Sequence, residues 1–408
     1  IVLVVSKNPP MTGSSSPLAF LETEASSCPP HCVSHYESLK SLYERKLWHQ
    51  LTVALTSFLS DSGNESGGSF HRIWTEFVSH FERKINQLEL AKIAVRICEV
   101  YEGEEGGLEK GESLLAPLLG QKEFLPPSAL LFVTCSHALL LLRLDPVKNA
   151  GAVKKVIEDG RSTLENLGDV VAAGGETSCH KQYYRLSMEY HKVIGPPEAF
   201  YKNGLMFLSF TPSSTLSREA QHDLARDLSL AALSGSDIFN FGEVFETPIL
   251  QVLRGTSDEL LLKFMEAFCT GDVNAYNSTM KACQEQFNLQ PALANKATFI
   301  HEKITLLALV NMVFSRPPSD RTISFDEISV RAQVPVDQVE WVAMKALSLK
   351  LIKGKMDQIA GTVTITWVVP RVLNGEQIKE IIGKIREWKE RVKTYENVVR
   401  DETVEMLA

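Results

Sequence analysis

Two cysteines and two histidines near the N-terminus are the residues whose types could bind a metal. They are Cys28, His31, Cys32 and His35. Zn²⁺ in structural sites takes four nitrogen or sulfur ligands, so these side chains have suitable chemistry. All four, however, lie close together in a Pro-containing stretch, and no second ligand pair elsewhere in the sequence accompanies them. We therefore expect no metal site and no cofactor.

Motifs for other chemistry are missing from the sequence. It contains no GxxxxGK[ST] phosphate loop, no GxGxxG after a predicted strand, no HExxH and no GxSxG. The ten histidines are dispersed and pair with no nucleophile. We therefore expect a protein that is not an enzyme and that has no small-molecule substrate.

The amino-acid composition indicates the cellular compartment and limits the kinds of partner that the chain is expected to bind. The chain has 408 residues, a formal net charge of -8 and a pI of about 5.8. Phosphate contacts dominate nucleic-acid affinity, so an acidic chain is a poor candidate for binding nucleic acid. Seven cysteines, an odd number, fall mostly in apolar helical patterns, which is typical of reduced thiols. We expect a cytoplasmic and nuclear protein.

The sequence gives little indication of a membrane segment. A transmembrane helix needs about 18 or more apolar residues, and the nearest stretch, 129–142, is interrupted by Thr134, Ser136 and His137. The apolar residues 1–5 are too few for the core of a signal peptide, about 7–15 residues. We expect no contact with a membrane.

Hydrophobic periodicity divides the chain into four parts. Residues 1–35, rich in Ser, Pro and Thr, are predicted to be a disordered tail. From residue 36 apolar residues recur at helical spacing between Gly- and Pro-containing breaks, as in Phe70, Ile73, Trp74, Phe77 and Phe81. Helices with one apolar face must stack on neighbours, so an irregular helical-repeat solenoid is expected, with N-terminal repeats over 36–199. The third and fourth parts are a domain over 200–370, helical to 318, and a C-terminal helix over 371–408.

Residues 319–370 carry the pattern of a winged helix. Ser324, followed three residues later by Glu327, predicts a capping box, and Pro335 and Asp337 begin a second helix. Two short strands follow. Apolar residues alternate along the second one, and we expect Val363, Ile365 and Trp367 on the buried face of the hairpin. One strand edge would stay free to extend the sheet of a neighbouring protein.

The last helix has an apolar stripe at helical spacing. Its residues are Ile378, Ile381, Ile382, Ile385, Trp388, Val392 and Tyr395. Such a stripe fits packing on the chain's own core as well as packing on a partner's helix, and the pattern does not separate the two.

A winged helix raises the alternative of nucleic-acid binding. Between Asp320 and Val369 there are six basic and six acidic residues. The helix that would enter a groove begins with Asp337 and Glu340, which would face phosphates unfavourably. This alternative is therefore weaker than protein binding.

Several segments resemble the PCI family, whose members occur in the proteasome lid, the signalosome and the initiation-factor-three complex. The segments are 42–52, 239–243 (FNFGE) with Pro248, 344–348 with 353–354, and 366–373. These segments are most similar to one proteasome lid subunit, although the long N-terminal tail and residues 102–112 depart from its pattern. The resemblance implies a non-catalytic scaffold in a hetero-oligomer. Its winged helix would pack on those of other PCI subunits of the lid, with the regulatory-particle base also a partner, and its last helix would join a shared bundle. A scaffold of the signalosome or the initiation factor is the alternative.

Overall fold

The structure is a computed structural model of the chain. It describes residues 17–27, 30–60, 67–101, 106–120, 125–172, 177–284, 287, 290–317, 320–370, 372 and 375–407. The chain divides into two compact units, Ile1–Gly195 and Pro196–Ala408. Each unit is described separately below.

The described part of the first unit is helical throughout. Its α-helices are α1 (Pro17–Ser27), α2 (Pro30–Glu44), α3 (Trp48–Ser60), α4 (Gly67–Arg72), α5 (Gln87–Tyr101), α6 (Gly107–Gly120), α7 (Pro127–Leu144), α8 (Pro146–Ala172) and α9 (Ser178–Val193). A π-helical turn, Ile73–Phe77, and two short 3₁₀ turns follow α4. Helices adjacent in the sequence pack on one another, α1 on α2, α2 on α3, and then from α5 through α9. This stacking of neighbours confirms the predicted helical solenoid.

Aromatic side chains fill the core of this unit. Phe70, Phe77 and Phe81 are buried, and the ring of Trp48 stacks on that of Phe81 with centroids 5.9 Å apart. Offset and edge-to-face contacts of this kind add about 0.5–1.5 kcal/mol each beyond the burial of area. These aromatic side chains therefore belong to the core of the solenoid.

The predicted disordered tail differs from the structure where residues are described. Pro17–Ser27 and the first part of Pro30–Glu44 are helical, and Phe20 and Leu21 are buried. The guanidinium of Arg72 lies 5.5 Å from the ring centroid of Phe20 and 2.6 Å from a carboxylate oxygen of Glu24. Packing on the rest of the unit therefore stabilises a helix that its composition does not favour. Residues 1–16 of the predicted tail lie outside the described part.

The second unit begins with helices and ends with a small sheet and one long helix. Its α-helices are α10 (Pro197–Phe210), α11 (Arg218–Ser234), α12 (Gly242–Phe245), α13 (Glu259–Thr270), α14 (Val273–Ala282), α15 (Pro291–Ala294), α16 (Ala297–Phe314), α17 (Phe325–Ala332), α18 (Val336–Ser348) and α19 (Gly375–Leu407). Its strands are β1 (Thr322–Ser324), β2 (Ile352–Asp357) and β3 (Thr362–Val368). Two 3₁₀ segments, Ser213–Thr215 and Pro248–Leu253, flank α11 and α12.

The winged helix forms as predicted. Ser324 caps α17, its hydroxyl accepting a hydrogen bond from the Glu327 backbone N–H at 3.3 Å. The Glu327 carboxylate bonds to Arg316, and no reciprocal bond to Ser324 is seen among the described residues. The three strands are antiparallel in the order β1-β3-β2, with Val363 of β3 opposite Ile323 on one side and Met356 on the other.

Two helices, α7 and α16, are long and apolar enough by length and composition to cross a membrane, which the sequence analysis did not anticipate. In each, 56% of the helix is buried inside the protein. Ser136 of α7 accepts a hydrogen bond from Gln182 at 3.0 Å. Lys303 of α16, although buried, donates to the backbone carbonyls of Ala232 and Gly235, at 2.7 Å each. Because these polar groups have partners within the protein, we interpret both helices as core helices.

Candidate interaction site

The N-terminal cysteine and histidine cluster is only partly described. Cys28 and the side chain of His31 lie outside the part of the chain that the structure describes. Cys32 is buried in the core of the first unit, and the ring of His35 lies 5.6 Å from that of Phe58. Both described members therefore pack against apolar neighbours. No group of three metal-binding side chains occurs in the part of the chain that the structure describes.

The sheet of the winged helix has one buried face and two outer strands. Val363 and Ile365 are buried, as predicted. Because β3 lies in the middle, the outer edges of β1 and β2 are the two edges of the sheet. An outer strand carries backbone N–H and C=O groups that can pair with a strand of another protein.

The prediction that Trp367 is buried with them is wrong. Its side chain is 38% exposed, and the ammonium of Lys353 lies 4.8 Å from the ring centroid. The cause is an irregularity in register: Lys353 pairs with Trp367 while the next residue, Gly354, pairs with Ile365. Thr366 is therefore an extra residue in β3, and one extra residue shifts the side chains that follow it out of the inward alternation.

Further apolar side chains are exposed on the helices and the turn of the winged helix. They are Val330 of α17, Val336, Trp341 and Met344 of α18, and Ile359 in the turn between β2 and β3. Lys345 lies 4.5 Å from the ring centroid of Trp341 and pairs with Glu302 of α16. These residues were not predicted from the sequence; the inward face of α18, with Val339, Val342, Ala343 and Ala346, is buried.

The long helix α19 leaves its apolar stripe in solvent. Every residue of the predicted stripe is at least 40% exposed, and Trp388 is 68% exposed. Val399, which the sequence analysis did not include, continues the stripe and is also exposed. In the structure, therefore, the stripe does not pack on the chain's own core. Side chains that are apolar, aligned and exposed over most of a 33-residue helix are suited to bind a partner.

The segment that leads into α19 contacts residues 239–243, which end in the first turn of α12. The Val372 backbone N–H donates to the Asn240 side-chain oxygen at 3.5 Å, and the Asn240 amide donates to Glu243 at 2.7 Å. A Cβ at Gly242 would lie 3.0 Å from the Cβ of Val372, so the absence of a side chain there permits a close approach. The FNFGE segment thus contacts the chain just before the candidate interaction helix.

Comparisons with known proteins give the family. A family profile described as PSD13 N-terminal repeats matches residues 35–265, and a profile described as PCI domain matches residues 280–367. The chain is 35% identical over 391 residues to the 26S proteasome non-ATPase regulatory subunit 13 homolog B of Arabidopsis thaliana, covering 96% of this chain and 99% of that protein. It is 31% identical to the 26S proteasome non-ATPase regulatory subunit 13 of Dictyostelium discoideum, again covering 96% of this chain and 99% of that one.

A weaker likeness exists to another complex. Subunit M of the eukaryotic translation initiation factor 3 of Aspergillus terreus is 26% identical over 211 residues, covering 52% of this chain and 45% of that protein. The regulatory-subunit relatives, in contrast, match this chain nearly end to end. The solenoid, the winged helix and these matches agree, and the chain belongs to the family of the 26S proteasome non-ATPase regulatory subunit 13.

Proposed function

We propose that this chain is a non-catalytic structural subunit of the lid of the proteasome regulatory particle, and that it supports ubiquitin-dependent protein degradation through protein–protein contacts. The observation that carries the proposal is the exposed apolar stripe of α19, at the end of a chain whose nearly full-length relatives are named as proteasome regulatory subunits. An apolar surface of this length is costly to leave in water, which favours a partner that covers it.

The proposed partners are other lid subunits with PCI domains and the base of the regulatory particle, in a hetero-oligomer. The stripe from Ile378 to Tyr395 would enter a helical bundle. The winged helix would contribute a strand edge and the exposed Trp367, while Val363 and Ile365 support the strand from its buried face. The domain boundaries proposed are repeats over 36–199, a PCI domain over 200–370 and the terminal helix over 371–408.

Two alternatives are less well supported. A scaffold of the initiation factor is disfavoured because the likeness to its subunit M covers only half of this chain; a signalosome scaffold would fit the PCI domain alone. Nucleic-acid binding is disfavoured because the outer face of α18 carries Asp337, Trp341 and Met344, which offer no positive charge to phosphates. We propose that the chain binds neither nucleic acid, membrane nor small-molecule substrates, and that it works in the cytoplasm and the nucleus.

The proposed absence of catalysis rests on the absent sequence motifs and on the names of the relatives as regulatory subunits. In the described part of the chain, burial raises the pKa of the Cys135 thiol and raises that of Cys179 to about 11, so neither is an activated nucleophile. The purified chain should show no peptidase, deubiquitinase or ATPase turnover. Metal-dependent turnover that is lost in Cys28→Ala or Cys32→Ala would contradict this.

Affinity purification tests the proposal. The full chain, tagged and expressed in its own cells, should recover lid subunits and proteasomal ATPases, identified by mass spectrometry. A matched variant, Ile385→Asp with Trp388→Asp, keeps the fold because both side chains are exposed, and it should recover far less of the complex. Recovery of initiation-factor or signalosome subunits in place of proteasomal ones would overturn the proposal.

A further inference from the structure

The stripe of α19 has a regular spacing. From Ile378 to Val399, with Ile382 set aside, steps of three and four residues alternate without a break. Alternating steps of three and four are the heptad pattern, in which positions a and d form the seam of a coiled coil. In this register Ile378, Ile385, Val392 and Val399 occupy position a, and Ile381, Trp388 and Tyr395 occupy position d. All seven side chains are exposed.

The residues that flank this seam are mainly basic. Positions e and g border the seam on its two sides and set the choice of partner through charge. Lys384 and Arg391 occupy position g and Lys389 occupies position e, all three exposed on α19. The remaining described flanking residues are Ile382 and Glu396. The seam is therefore bordered by positive charge over its central part, 384–391, although the chain as a whole is acidic.

A second copy of this chain matches only part of that border. In a parallel pair, position g of one helix faces position e of the next heptad in the other, so Lys384 would face Lys389 of the second copy and only Arg391 would face an acidic residue, Glu396. Like charges at such positions disfavour pairing. The complementary occupant has acidic residues at those positions.

Resting on the proposed function, we propose that the partner of α19 is a helix with its own apolar heptad seam and with Asp or Glu at the positions flanking that seam. The three flanking cations are attracted by carboxylates and repelled by cations, and the flanking carboxylate Glu396 responds to both in the opposite sense. The net difference of two exposed pairs corresponds to about a tenfold preference in Kd for the acidic helix.

Two synthetic peptides test the inference on the full chain. Both have four heptads with Ile at a and Leu at d; one has Glu at every e and g position, and the other has Lys. Each peptide repels itself, so neither pairs with its own copies. Fluorescence anisotropy should give a Kd about tenfold lower for the Glu peptide at low salt. The preference should shrink at about 1 M salt, where the Debye length is about 3 Å. Equal binding, tighter binding of the Lys peptide, or self-association of the chain stronger than binding to either peptide would overturn the inference.

The chain offers a matched control. Lys384→Glu with Lys389→Glu and Arg391→Glu changes the three flanking residues and should reverse the preference in favour of the Lys peptide. Lys379→Glu with Arg386→Glu and Lys393→Glu makes the same change in net charge at position b, one step further from the seam, and should keep the preference for Glu. If both triple variants reverse it, the effect is one of overall charge and the seam is not responsible.

The inference and the proposed function can fail separately. If the wild-type chain recovers lid subunits from cells but binds both peptides equally, the charge inference is wrong and the proposed function stands. If the chain prefers the Glu peptide but recovers no proteasomal subunit, the proposed function is wrong and the chemistry of the seam stands.

Discussion

The ammonium nitrogen of Lys303 lies 2.7 Å from the backbone carbonyl oxygen of Gly235, just beyond the end of helix α11. The same nitrogen lies 2.7 Å from the carbonyl oxygen of Ala232 and 5.0 Å from the ring centroid of Phe241. Lys303 thus joins α16 to the last turn of α11 and to the FNFGE segment. Burial lowers the pKa of Lys303 to about 7, an effect that the nearby Glu198 and Asp237 oppose and Lys296 reinforces.

This pKa gives the stability of the chain a dependence on pH. Between pH 7 and about 10, Lys303 holds its proton in the unfolded chain and has lost it in the folded one, so the free energy of unfolding rises with pH, by up to about 1.4 kcal/mol per pH unit. Below pH 7 both states are protonated and the dependence ends. Cysteine thiols with raised pKa values, such as Cys179, act in the opposite direction. Urea unfolding measures the free energy of unfolding of wild type and of Lys303→Met. The value for wild type minus that for the variant should therefore increase from pH 7 to pH 9. A difference that stays constant would contradict this.

The hairpin should respond unequally to two truncations. Ile365 is buried, and Ile365→Ala should lower the free energy of unfolding by roughly 2–5 kcal/mol. Trp367 is partly exposed and interacts with Lys353, so Trp367→Ala should lower it by only about 1 kcal/mol. Denaturant unfolding of both variants measures the two values. Equal losses would show that Trp367 is part of the core, as the sequence alone suggested.

Two glycines with positive φ offer a matched pair. Gly271 ends α13 at φ +64, and a Cβ there would lie 2.2 Å from the side-chain nitrogen of Asn311 and 3.0 Å from the carbonyl oxygen of Leu307. Gly255 has φ +76 and nothing within 4 Å of such a Cβ. Gly255→Ala should cost about 1 kcal/mol from backbone strain alone, and Gly271→Ala at least about 2 kcal/mol. Thermal unfolding ranks them, and a smaller loss for Gly271→Ala would show that Asn311 moves away without cost.

Local patterns predicted the fold well where local physics decides it. Ser324 caps α17, as predicted, because a capping hydroxyl is recognisable from its residue type and its position before a helix. The stripe of α19 followed from its spacing in the same way. These features need only the sequence within a few residues.

Features that depend on distant contacts could not be predicted. Helix α1 is stabilised by the contacts of Phe20 and Glu24 with Arg72, about fifty residues away in sequence. Trp367 is turned outwards by an extra residue, Thr366, that becomes apparent only from the pairing with β2. In the sequence, Lys303 is one polar residue within an apolar helix. The carbonyl oxygen of Ala232, which accepts one of its hydrogen bonds, belongs to another helix. The sequence pattern also could not decide whether α19 packs on the chain's own core. The exposure of its apolar side chains in the structure shows that it does not.

The most direct test of the central claim is the incorporation of a chain that lacks residues 375–408 into the assembled lid, measured by native mass spectrometry against the full chain. Because the stripe is exposed, the deletion removes little of the core, and circular dichroism should show a folded protein with a nearly unchanged Tm. The account predicts that this folded, truncated chain is absent from the lid. A truncated chain that is incorporated as well as the full chain, or one that unfolds, would show that α19 serves the stability of its own chain and not the binding of a partner.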